Sequence, residues 1–125
     1  MIRIYDRELI NSFLSQEDIL PQFFLISGNP EKYQDIYFLL GDVSLFPCVK
    51  KRDEMHCHAA VPKGVRGSAA FKDAKAAIQW VFDNTDCKKV CTKADRNKKH
   101  LHHFNGKILN RVSEDDQYIY YEVTR

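Results

Sequence analysis

The sequence predicts a single domain that spans residues 1–125 and contains both helices and strands (α/β in the broad sense, α+β in the narrower one). Its helices are expected to flank a mixed and mostly antiparallel sheet. Three observations support this fold class. Short β-forming segments alternate with polar turns between residues 36 and 61, and a stretch with helical periodicity follows at residues 68–84. Strand and helix patterns then alternate to the C-terminus. A chain of 125 residues has room for one hydrophobic core but not for two.

The composition is that of an ordinary globular protein and argues against several classes of function. The chain is 44% hydrophobic and 29% charged, and 19 basic against 17 acidic side chains leave a formal net charge of +2. This balance provides no general attraction to nucleic acid or to an anionic membrane. The apolar run at residues 23–26 is too short to span a bilayer. We therefore expect a cytoplasmic protein whose four cysteines are reduced.

The N-terminal region is predicted to be helical. Asp6 is a suitable N-cap. Apolar residues recur after it at the spacing of one helix face, at Leu9, Ile10, Phe13 and Leu14. Residues 15–18 have the composition of a second helix start, which Pro21 would stop soon after. The connection at residues 27–30, which contains glycine, asparagine and proline, is expected to be a loop.

Three strands of an antiparallel meander are predicted next. Residues 36–40 and 43–49 are β-forming, and a Gly-Asp turn separates them. A polar turn at residues 50–53 leads into a third strand at residues 55–61, which Pro62 ends. These segments are expected to form one half of the sheet.

A long helix and a closing hairpin complete the predicted fold. From Ser68 onward, apolar residues line one stripe of a helix that is expected to end near Asn84. The remaining elements are predicted to be a strand, a short helix and two hairpin strands, at residues 89–92, 97–104, 107–112 and 117–123.

The turn before the long helix is the first candidate for a binding site. Its small residues, which open the helix, are Gly67, Ser68, Ala69 and Ala70. The first N–H groups of a helix have no intrahelical partner and lie at the positive end of its dipole, so an anion docks there where side chains leave room. A phosphate or diphosphate is the expected ligand, unless the small residues serve packing alone. The sequence lacks the glycine patterns of dinucleotide-binding and Walker sites.

The residues around this turn resemble a known family. The run from Ala59 to Ala70 is similar to the coenzyme A pyrophosphate signature of the GNAT N-acetyltransferase superfamily, in which a strand leads through a proline-containing loop into Arg-Gly and a helix N-terminus. Downstream, residues 89–92 and 97–104 are similar to that family's next strand and its asparagine-led helix. The likeness covers residues 36–125, and the N-terminal helices are a looser match.

The resemblance implies a GNAT fold whose two central strands splay apart around acetyl-CoA. The backbone that would pair with the pantetheine amides belongs to Ala59, Ala60 and Val61. The N–H groups that would hold the pyrophosphate belong to Arg66, Gly67, Ser68, Ala69 and Ala70. Asn97 would lie beside the pantetheine arm. The implied reaction is acetyl transfer to an amine of a small molecule or a protein, which requires a general base, a donor to the thioester carbonyl and a proton for the leaving thiolate.

Three candidates for the general base lie on or beside the third predicted strand. They are Glu54, His56 and His58. Because side chains alternate along a strand, these three cannot share a face with Cys57, whereas the two histidines share one face with each other. A neutral imidazole near pH 7 is a suitable base. The alternative is that the histidines are hydrogen-bonded strand residues with no chemical role.

The chain departs from the family pattern at three positions. The family motif is Arg/Gln-x-x-Gly-x-Gly/Ala, and this chain has Ala69 and the bulky Phe71 where small residues are usual. Counting from Asn97, the tyrosine that often protonates the thiolate is replaced by Phe104, which has no proton to donate. The first two departures bear on cofactor affinity, and the third bears on catalysis.

A second class of function stays open. The Asn-x-x-His-Leu pattern at residues 97–101 is similar to that of short GNAT-like proteins of tailed bacteriophages, some of which are associated with head assembly or with the virion. On this alternative the cofactor site is vestigial, the partners are phage structural proteins, and the protein resides in the host cytoplasm or the virion. A homodimer is compatible with either function, since small domains of the GNAT family often pair.

The cysteines and histidines allow a metal site as a further interpretation. The residues concerned are Cys87, Cys91, His100, His102 and His103. Zinc requires four nitrogen or sulfur ligands in a tetrahedron. Cys91 lies within a predicted strand, however, and free cysteines in strands are commonly small buried hydrophobes. We therefore predict no metal, and a Cys-His nucleophilic site using Cys57 or Cys91 has no local signature.

The aromatic residues near the C-terminus allow a nucleic-acid interpretation. Tyr118, Tyr120 and Tyr121 have rings on which the bases of a single strand could stack. A strand with one buried and one wetter face explains their alternation with apolar residues more simply. The sequence therefore does not favour nucleic acid as a partner.

Overall fold

A computed structural model of the protein describes residues 1–16, 26–65 and 67–125. Within these ranges, three α-helices and seven strands alternate along the chain. The helices are α1 (Arg7–Leu14), α2 (Ser68–Asn84) and α3 (Lys99–Ile108). The strands are β1 (Ile2–Arg3), β2 (Ile36–Leu40), β3 (Leu45–Lys51), β4 (Glu54–Cys57), β5 (Lys89–Asp95), β6 (Asn110–Glu114) and β7 (Tyr118–Thr124).

The seven strands form one sheet with the order β1-β2-β3-β4-β5-β7-β6. Neighbouring strands are antiparallel except for β4 and β5, which run parallel in the middle of the sheet. Strands β2, β3 and β4 form the predicted meander, and α2 connects the two parallel strands. The predicted fold class, with helices flanking a mixed and mostly antiparallel sheet, is confirmed.

The helices lie on both faces of the sheet. Because side chains alternate along β2, Phe38 and Leu39 point to opposite faces. Leu39 belongs to the larger core, which includes α2, and Ile108 of α3 packs against the same core. Phe38 packs with Ile10 and Leu14 of α1 in a smaller core on the other face. Helix α1 covers β2 and β3 on this face of the sheet. It leaves β4, β5 and β7 uncovered on the same face, and a cleft can form there.

The two parallel strands separate after a short paired segment. The pairing of β4 with β5 ends at His56 and Cys91. Beyond that point the chain after β4 stays with β3, where Ala60 exchanges both backbone hydrogen bonds with Leu45 at 2.7 and 3.1 Å. Strand β5 instead stays with β7 to its end. The central splay that the sequence predicts is therefore present.

A proline explains why the regular part of β4 is shorter than predicted. Pro47 of β3 lies opposite His58, and its nitrogen has no hydrogen to donate to the ladder. A single bond remains there, from the His58 N–H to the Pro47 carbonyl at 3.0 Å. The predicted strand at residues 55–61 is therefore regular only to Cys57, with a bridge at Ala60 beyond it.

The two edges of the sheet are weakly suited to further pairing. Strand β1 has only two residues, which is too few for any sequence pattern, and it was not predicted. All five residues of β6 are exposed, and a bulge between Arg111 and Ser113 interrupts its pairing with β7. Glu114 at the end of β6 forms ion pairs with Arg111 and Arg96.

A buried carboxylate joins α2 to the turn between β2 and β3. Asp73 of α2 is 3% exposed and accepts hydrogen bonds from the backbone N–H groups of Asp42, Val43 and Ser44 at 2.9 to 3.1 Å. The Ser44 hydroxyl donates a fourth bond at 2.7 Å. A Cβ on Gly41 would lie only 2.4 Å from the carboxylate, so this turn requires glycine. The contact fixes the orientation of α2 over the meander.

The ionisation of Asp73 makes stability depend on pH. Desolvation alone would raise its pKa, but the hydrogen bonds from Val43, Ser44 and Asp42 outweigh this effect and hold the pKa below 3.8. A carboxyl with a lowered folded-state pKa adds stability above its unfolded pKa of about 3.9, and that stability is lost as the pH falls through the folded value. We expect the unfolding free energies of wild type and Asp73→Asn, measured by urea denaturation, to converge below about pH 4. A constant difference down to pH 2.5 would contradict this assignment.

Several predicted elements differ in their bounds from the observed ones. Strand β3 begins at Leu45 and not at residue 43, because the residues before it form the turn that Asp73 holds. Helix α3 begins and ends later than the predicted residues 97–104, and β6 begins three residues later than the predicted residue 107. A short 3-10 helix, Pro30–Lys32, lies at the end of the predicted loop.

The predicted second helix falls mainly on residues 17–25, which lie outside the described ranges. The stop predicted at Pro21 lies there as well. Among the residues that are described, no helix is long and apolar enough to cross a membrane.

Candidate functional site

A cleft opens on the α1 side of the sheet, over β4, β5 and β7, and we call it the sheet cleft. Its volume is about 520 Å³. Alternate residues of the three strands point into it, because the side chains between them face α2 and α3. The residues that bear on its chemistry are Glu54, His56, His58, Cys91, Lys93 and Glu122.

Charged groups on the floor of the sheet cleft form a connected network. The Glu54 Oε2 atom lies 3.3 Å from His56 Nε2, and Glu54 Oε1 lies 3.0 Å from the Lys89 ammonium. Lys89 also contacts Glu122 at 3.4 Å. The hydrogen bonds from Lys89 and then His56 hold the pKa of Glu54 below 4.5, so this carboxyl is ionised at neutral pH.

A second pocket lies on the other face of the sheet, between β4, β5, α2 and α3, and we call it the helix-side pocket. Its volume is about 50 Å³. Cys57, His58 and Thr92 line both this pocket and the sheet cleft. These three residues therefore mark the junction of the two pockets, in the gap between the separating strands.

His58 at the junction has a perturbed ionisation. Its side chain is reached by solvent but is closely surrounded by protein. The resulting desolvation, followed by the charges of Lys93, His56 and Lys51, lowers its pKa below 6.5. Its imidazole is therefore neutral at pH 7, which is the form in which a histidine acts as a base.

The thiols of Cys91 and Cys48 are not activated as nucleophiles. Desolvation, together with the negative charges of Glu54 and Glu122, raises the pKa of Cys91 to about 11. Burial and the neighbouring Cys57 thiol raise the pKa of Cys48 well above 9.0. Both thiols are protonated at neutral pH, whereas a reactive cysteine requires a lowered pKa. This environment argues against Cys91 as the nucleophile of a Cys-His site.

The start of α2, where the sequence predicts an anion site, has no capping side chain. Gly67 is the N-cap with φ 70° and ψ −130°. The first helical bond runs from the Phe71 N–H to the Gly67 carbonyl at 3.2 Å. The N–H groups of Ser68, Ala69 and Ala70 consequently have no intrahelical acceptor. Apart from its two chain neighbours, no described residue has an atom within 4 Å of a Cβ built on Gly67, so the space beside this glycine is open.

Two of the residues that depart from the family pattern contact each other. The rings of Phe71 and Phe104 meet edge to face with centroids 5.9 Å apart, and they join α2 to α3. Phe104 also lines the helix-side pocket. Phe71 is thus turned toward α3 and not across the helix N-terminus.

Asn97 occupies an exposed turn between β5 and α3. Its N–H donates to Asp95 Oδ1 at 3.0 Å, and the helix begins only two residues later. The helix-side pocket is lined from α3 by Phe104 and Asn105 and not by Asn97. The role predicted for Asn97 beside the pantetheine arm stays a prediction.

The structure does not assemble the cysteines and histidines that the sequence suggested as a zinc site. Cys87 is fully buried in the larger core, and His100 and His103 are exposed on α3. His102 Nε2 lies 2.8 Å from the Asp95 carbonyl and must donate to it, so in the neutral ring Nδ1 accepts from the Tyr121 hydroxyl at 2.8 Å. Both ring nitrogens of His102 are therefore engaged in joining α3 to the sheet.

The three candidate base residues line the sheet cleft, and Ala59, Ala60 and Val61 lie on the segment that continues β4 past its pairing with β5. Glu54, His56 and His58 share the face that lines the sheet cleft. Ala59 and Val61 direct their backbone groups away from β3, whereas those of Ala60 are already bonded to Leu45, so Ala60 has no backbone group left for a pantetheine amide. Arg66 lies outside the described residues.

Sequence reasoning missed the groups that surround these candidates. Glu122 lines the sheet cleft with Glu54 and His56, Lys89 forms ion pairs with both carboxylates, and Thr92 joins His58 at the junction. Cys91 was considered from the sequence, but not its place beside His56. The period-2 pattern of β5 and β7 indicates which of their residues share a face. It does not indicate that β5 pairs in parallel with β4.

The comparisons with known proteins identify the fold. FdhC, a nucleotide-linked sugar GNAT, is 13% identical with a TM-score of 0.73, over 98% of this chain and 84% of that chain. An acetyltransferase of the GNAT family from Bacillus anthracis is 14% identical with a TM-score of 0.69, over 95% and 89%. The Campylobacter jejuni N-acetyltransferase PseH in complex with acetyl coenzyme A is 12% identical with a TM-score of 0.67, over 96% and 90%.

These solved structures show that the chain has the GNAT fold. Identities of 12–14% establish the shared architecture alone. No protein-family model matches the sequence, and no curated protein matches it.

Proposed function

We propose that the chain binds acetyl-CoA in the splay between β4 and β5 and transfers the acetyl group to an amine that enters through the sheet cleft. The observation that carries this proposal is the junction at Cys57, His58 and Thr92, where pockets on opposite faces of the sheet meet between the separating strands. A donor and an acceptor can meet there without sharing an entrance. The fold shared with N-acetyltransferases, one of them in complex with acetyl coenzyme A, supports this choice of donor.

The donor side of the site has groups suited to a diphosphate and a chain of amides. The free N–H groups of Ser68, Ala69 and Ala70 are positioned to hold the pyrophosphate at the positive end of α2. The backbone groups of Ala59 and Val61 are available to the pantetheine amides in the splay. Bound acetyl-CoA would supply the acetyl group as a thioester. The contributions of Arg66 and Asn97 remain part of the proposal.

The acceptor side has groups suited to moving a proton. Transfer forms a C–N bond and breaks the C–S bond, and the attacking amine must lose one proton. We assign the acceptance of that proton to His58, because it lies at the junction and lines both pockets. The Thr92 hydroxyl at the same junction is available to donate to the carbonyl oxygen. His56, which contacts Glu54, lies two residues before His58 and also lines the sheet cleft. The leaving thiolate takes its proton from solvent.

Titration calorimetry with acetyl-CoA tests the proposal directly. We expect measurable heat and a rise in melting temperature with acetyl-CoA, since a ligand that binds the folded state alone raises its stability. The matched control is acetate with 3′-phosphoadenosine 5′-diphosphate, which keeps the diphosphate and lacks the pantetheine arm. No heat and no thermal shift at millimolar acetyl-CoA would remove the enzyme proposal. The GNAT fold with a vestigial site, as in the phage assembly alternative, would then be the better account.

A substitution at His58 should separate catalysis from cofactor binding. In His58→Ala we expect kcat for acetylation of an amine panel to fall about 100-fold, because a positioned base contributes 10² or more. Binding of acetyl-CoA should change little, since the pyrophosphate and pantetheine groups do not depend on this imidazole. His103→Ala, on the exposed side of α3, is the control and should retain full activity. Unchanged kcat in His58→Ala would exclude His58 as the base.

A further inference from the structure

We propose that the floor of the sheet cleft is a binding site for a thiophilic divalent cation, Zn²⁺, with Glu54, His56 and Cys91 as its ligands. One carboxylate oxygen, one imidazole nitrogen and the thiol sulfur of these residues all lie within 4.8 Å of one another. All three side chains are half-buried and open to the cleft. The zinc site considered from the sequence used other residues, and Cys91 is the one residue common to both.

The backbone holds the three ligands on rigid elements. His56 and Cys91 are direct partners in the parallel pairing of β4 with β5. Glu54 lies two residues before His56 on the same strand, and therefore on the same face. All three side chains come from paired strands in the middle of the sheet, so little conformational entropy is lost when an ion binds.

The set of donors fits zinc better than it fits calcium or magnesium. Thiolate and imidazole ligands favour Zn²⁺, whereas Ca²⁺ and Mg²⁺ require oxygen ligands. Bonds of 2.0–2.3 Å in a tetrahedron place ligand atoms about 3.5 Å apart. His56 Nε2 and Glu54 Oε2 are already 3.3 Å apart, and closing the site brings the Cys91 sulfur in from a separation of no more than 4.8 Å. The fourth position faces the cleft. When the ion binds, the Cys91 thiol loses its proton to solvent, and His56 Nε2 gives up the proton it donates to the ionised Glu54, so that the neutral ring carries its proton on Nδ1.

The charges in direct contact with the ligands are compatible with a cation, while Lys51 and Lys93 line the cleft further from them. Lys89 holds Glu54 by Oε1, which leaves Oε2 directed toward His56 and the ion. The charge of Lys89 does not dominate, because it also contacts Glu122 at 3.4 Å. Two carboxylates and one ammonium give this group a net charge of −1 before the thiol loses its proton. Lys89 would thus act as the outer group that orients a ligand.

Zinc at this position would inhibit the acetyl transfer proposed above. Glu54 and His56 would be bound to the ion, and the ion would fill the floor of the sheet cleft next to His58, where the acceptor amine must enter. This consequence rests on the proposed function, whereas binding of the ion does not.

Cobalt is a suitable probe, because Co²⁺ replaces Zn²⁺ and its bond to a thiolate absorbs in the near ultraviolet. The reduced full-length chain is titrated with Co²⁺, and the cobalt is then displaced with Zn²⁺. We expect a charge-transfer band that saturates at one equivalent and disappears when zinc is added. Cys91→Ser should lose the band, and His56→Ala should weaken zinc binding at least about tenfold. Cys57→Ser, which removes another thiol at the same splay, is the matched control and should keep the band.

Two results would overturn the proposal. One is the absence of the band in folded wild-type protein at millimolar Co²⁺, and the other is a band in Cys91→Ser equal to that of wild type. Calorimetry with acetyl-CoA on the same samples separates this proposal from the proposed function. A cobalt band without acetyl-CoA binding supports the metal site while the enzyme proposal fails. Acetyl-CoA binding without a cobalt band overturns the metal site alone.

Discussion

Gly67→Val is expected to weaken acetyl-CoA binding at least about tenfold, which corresponds to about 1.4 kcal/mol. Gly67 immediately precedes the free N–H groups of α2, and its own surroundings are open. A branched side chain there would occupy the space through which a diphosphate must approach the helix. Calorimetric titration of wild type and variant with acetyl-CoA measures the effect.

The control must account for backbone strain, because Gly67 has a φ of 70°, which a side chain tolerates poorly. Gly64 provides it, with a φ of 91° in the same loop and no atom within 4 Å of an added Cβ. Gly64→Val therefore carries a similar strain but leaves the first turn of α2 unobstructed. Equal losses of binding in both variants would mean that loop strain, and not obstruction of the anion site, is responsible.

Asp73→Ala is expected to reduce the free energy of unfolding by about 3 kcal/mol or more. The substitution leaves the N–H groups of Asp42, Val43 and Ser44, as well as the Ser44 hydroxyl, without their acceptor. Ser44 is fully buried, so water cannot easily replace the lost carboxylate. Urea denaturation at pH 7 measures the change.

Asp83→Ala on the same helix is the matched control. Asp83 is exposed, and the hydrogen bond it accepts comes from Gln79, one turn earlier. Its removal should change stability by no more than about 0.5 kcal/mol. If Asp73→Ala cost as little as Asp83→Ala, the turn between β2 and β3 would not depend on this carboxylate.

The sequence predicts elements well where a glycine marks one of their ends. The predicted bounds of β2 and α2 match the observed ones, because glycine stands just after β2 and just before α2. Helix α3 was placed too early, since Asn97 looked like a helix start. In the structure the Asp95 side chain bonds the Asn97 N–H and forms a turn there, and the N-cap that follows, Lys98, has no capping side chain. A start without a capping signal cannot be located from local sequence.

From the sequence, one can predict which residues of a single strand share a face, but not which strands lie side by side. Alternation placed His56 and His58 on one face, and the structure directs both into the sheet cleft. The position of Cys91 opposite His56 depends on the register between β4 and β5, which α2 separates along the chain. No local pattern encodes such a register. The same holds for the bonds of Asp73 to a turn about 30 residues earlier in the chain.

The exposed strand β6 has a consequence for how copies of the chain meet. An unpaired strand edge is a template onto which another chain can add, and runaway addition produces fibrils. Here the bulge at Arg111 and Ser113 breaks the row of backbone groups, and the ion pairs of Glu114 place charge along it. At the opposite border, β1 offers only two residues. Both edges of the sheet are thus protected against the edge-to-edge addition of strands from other copies.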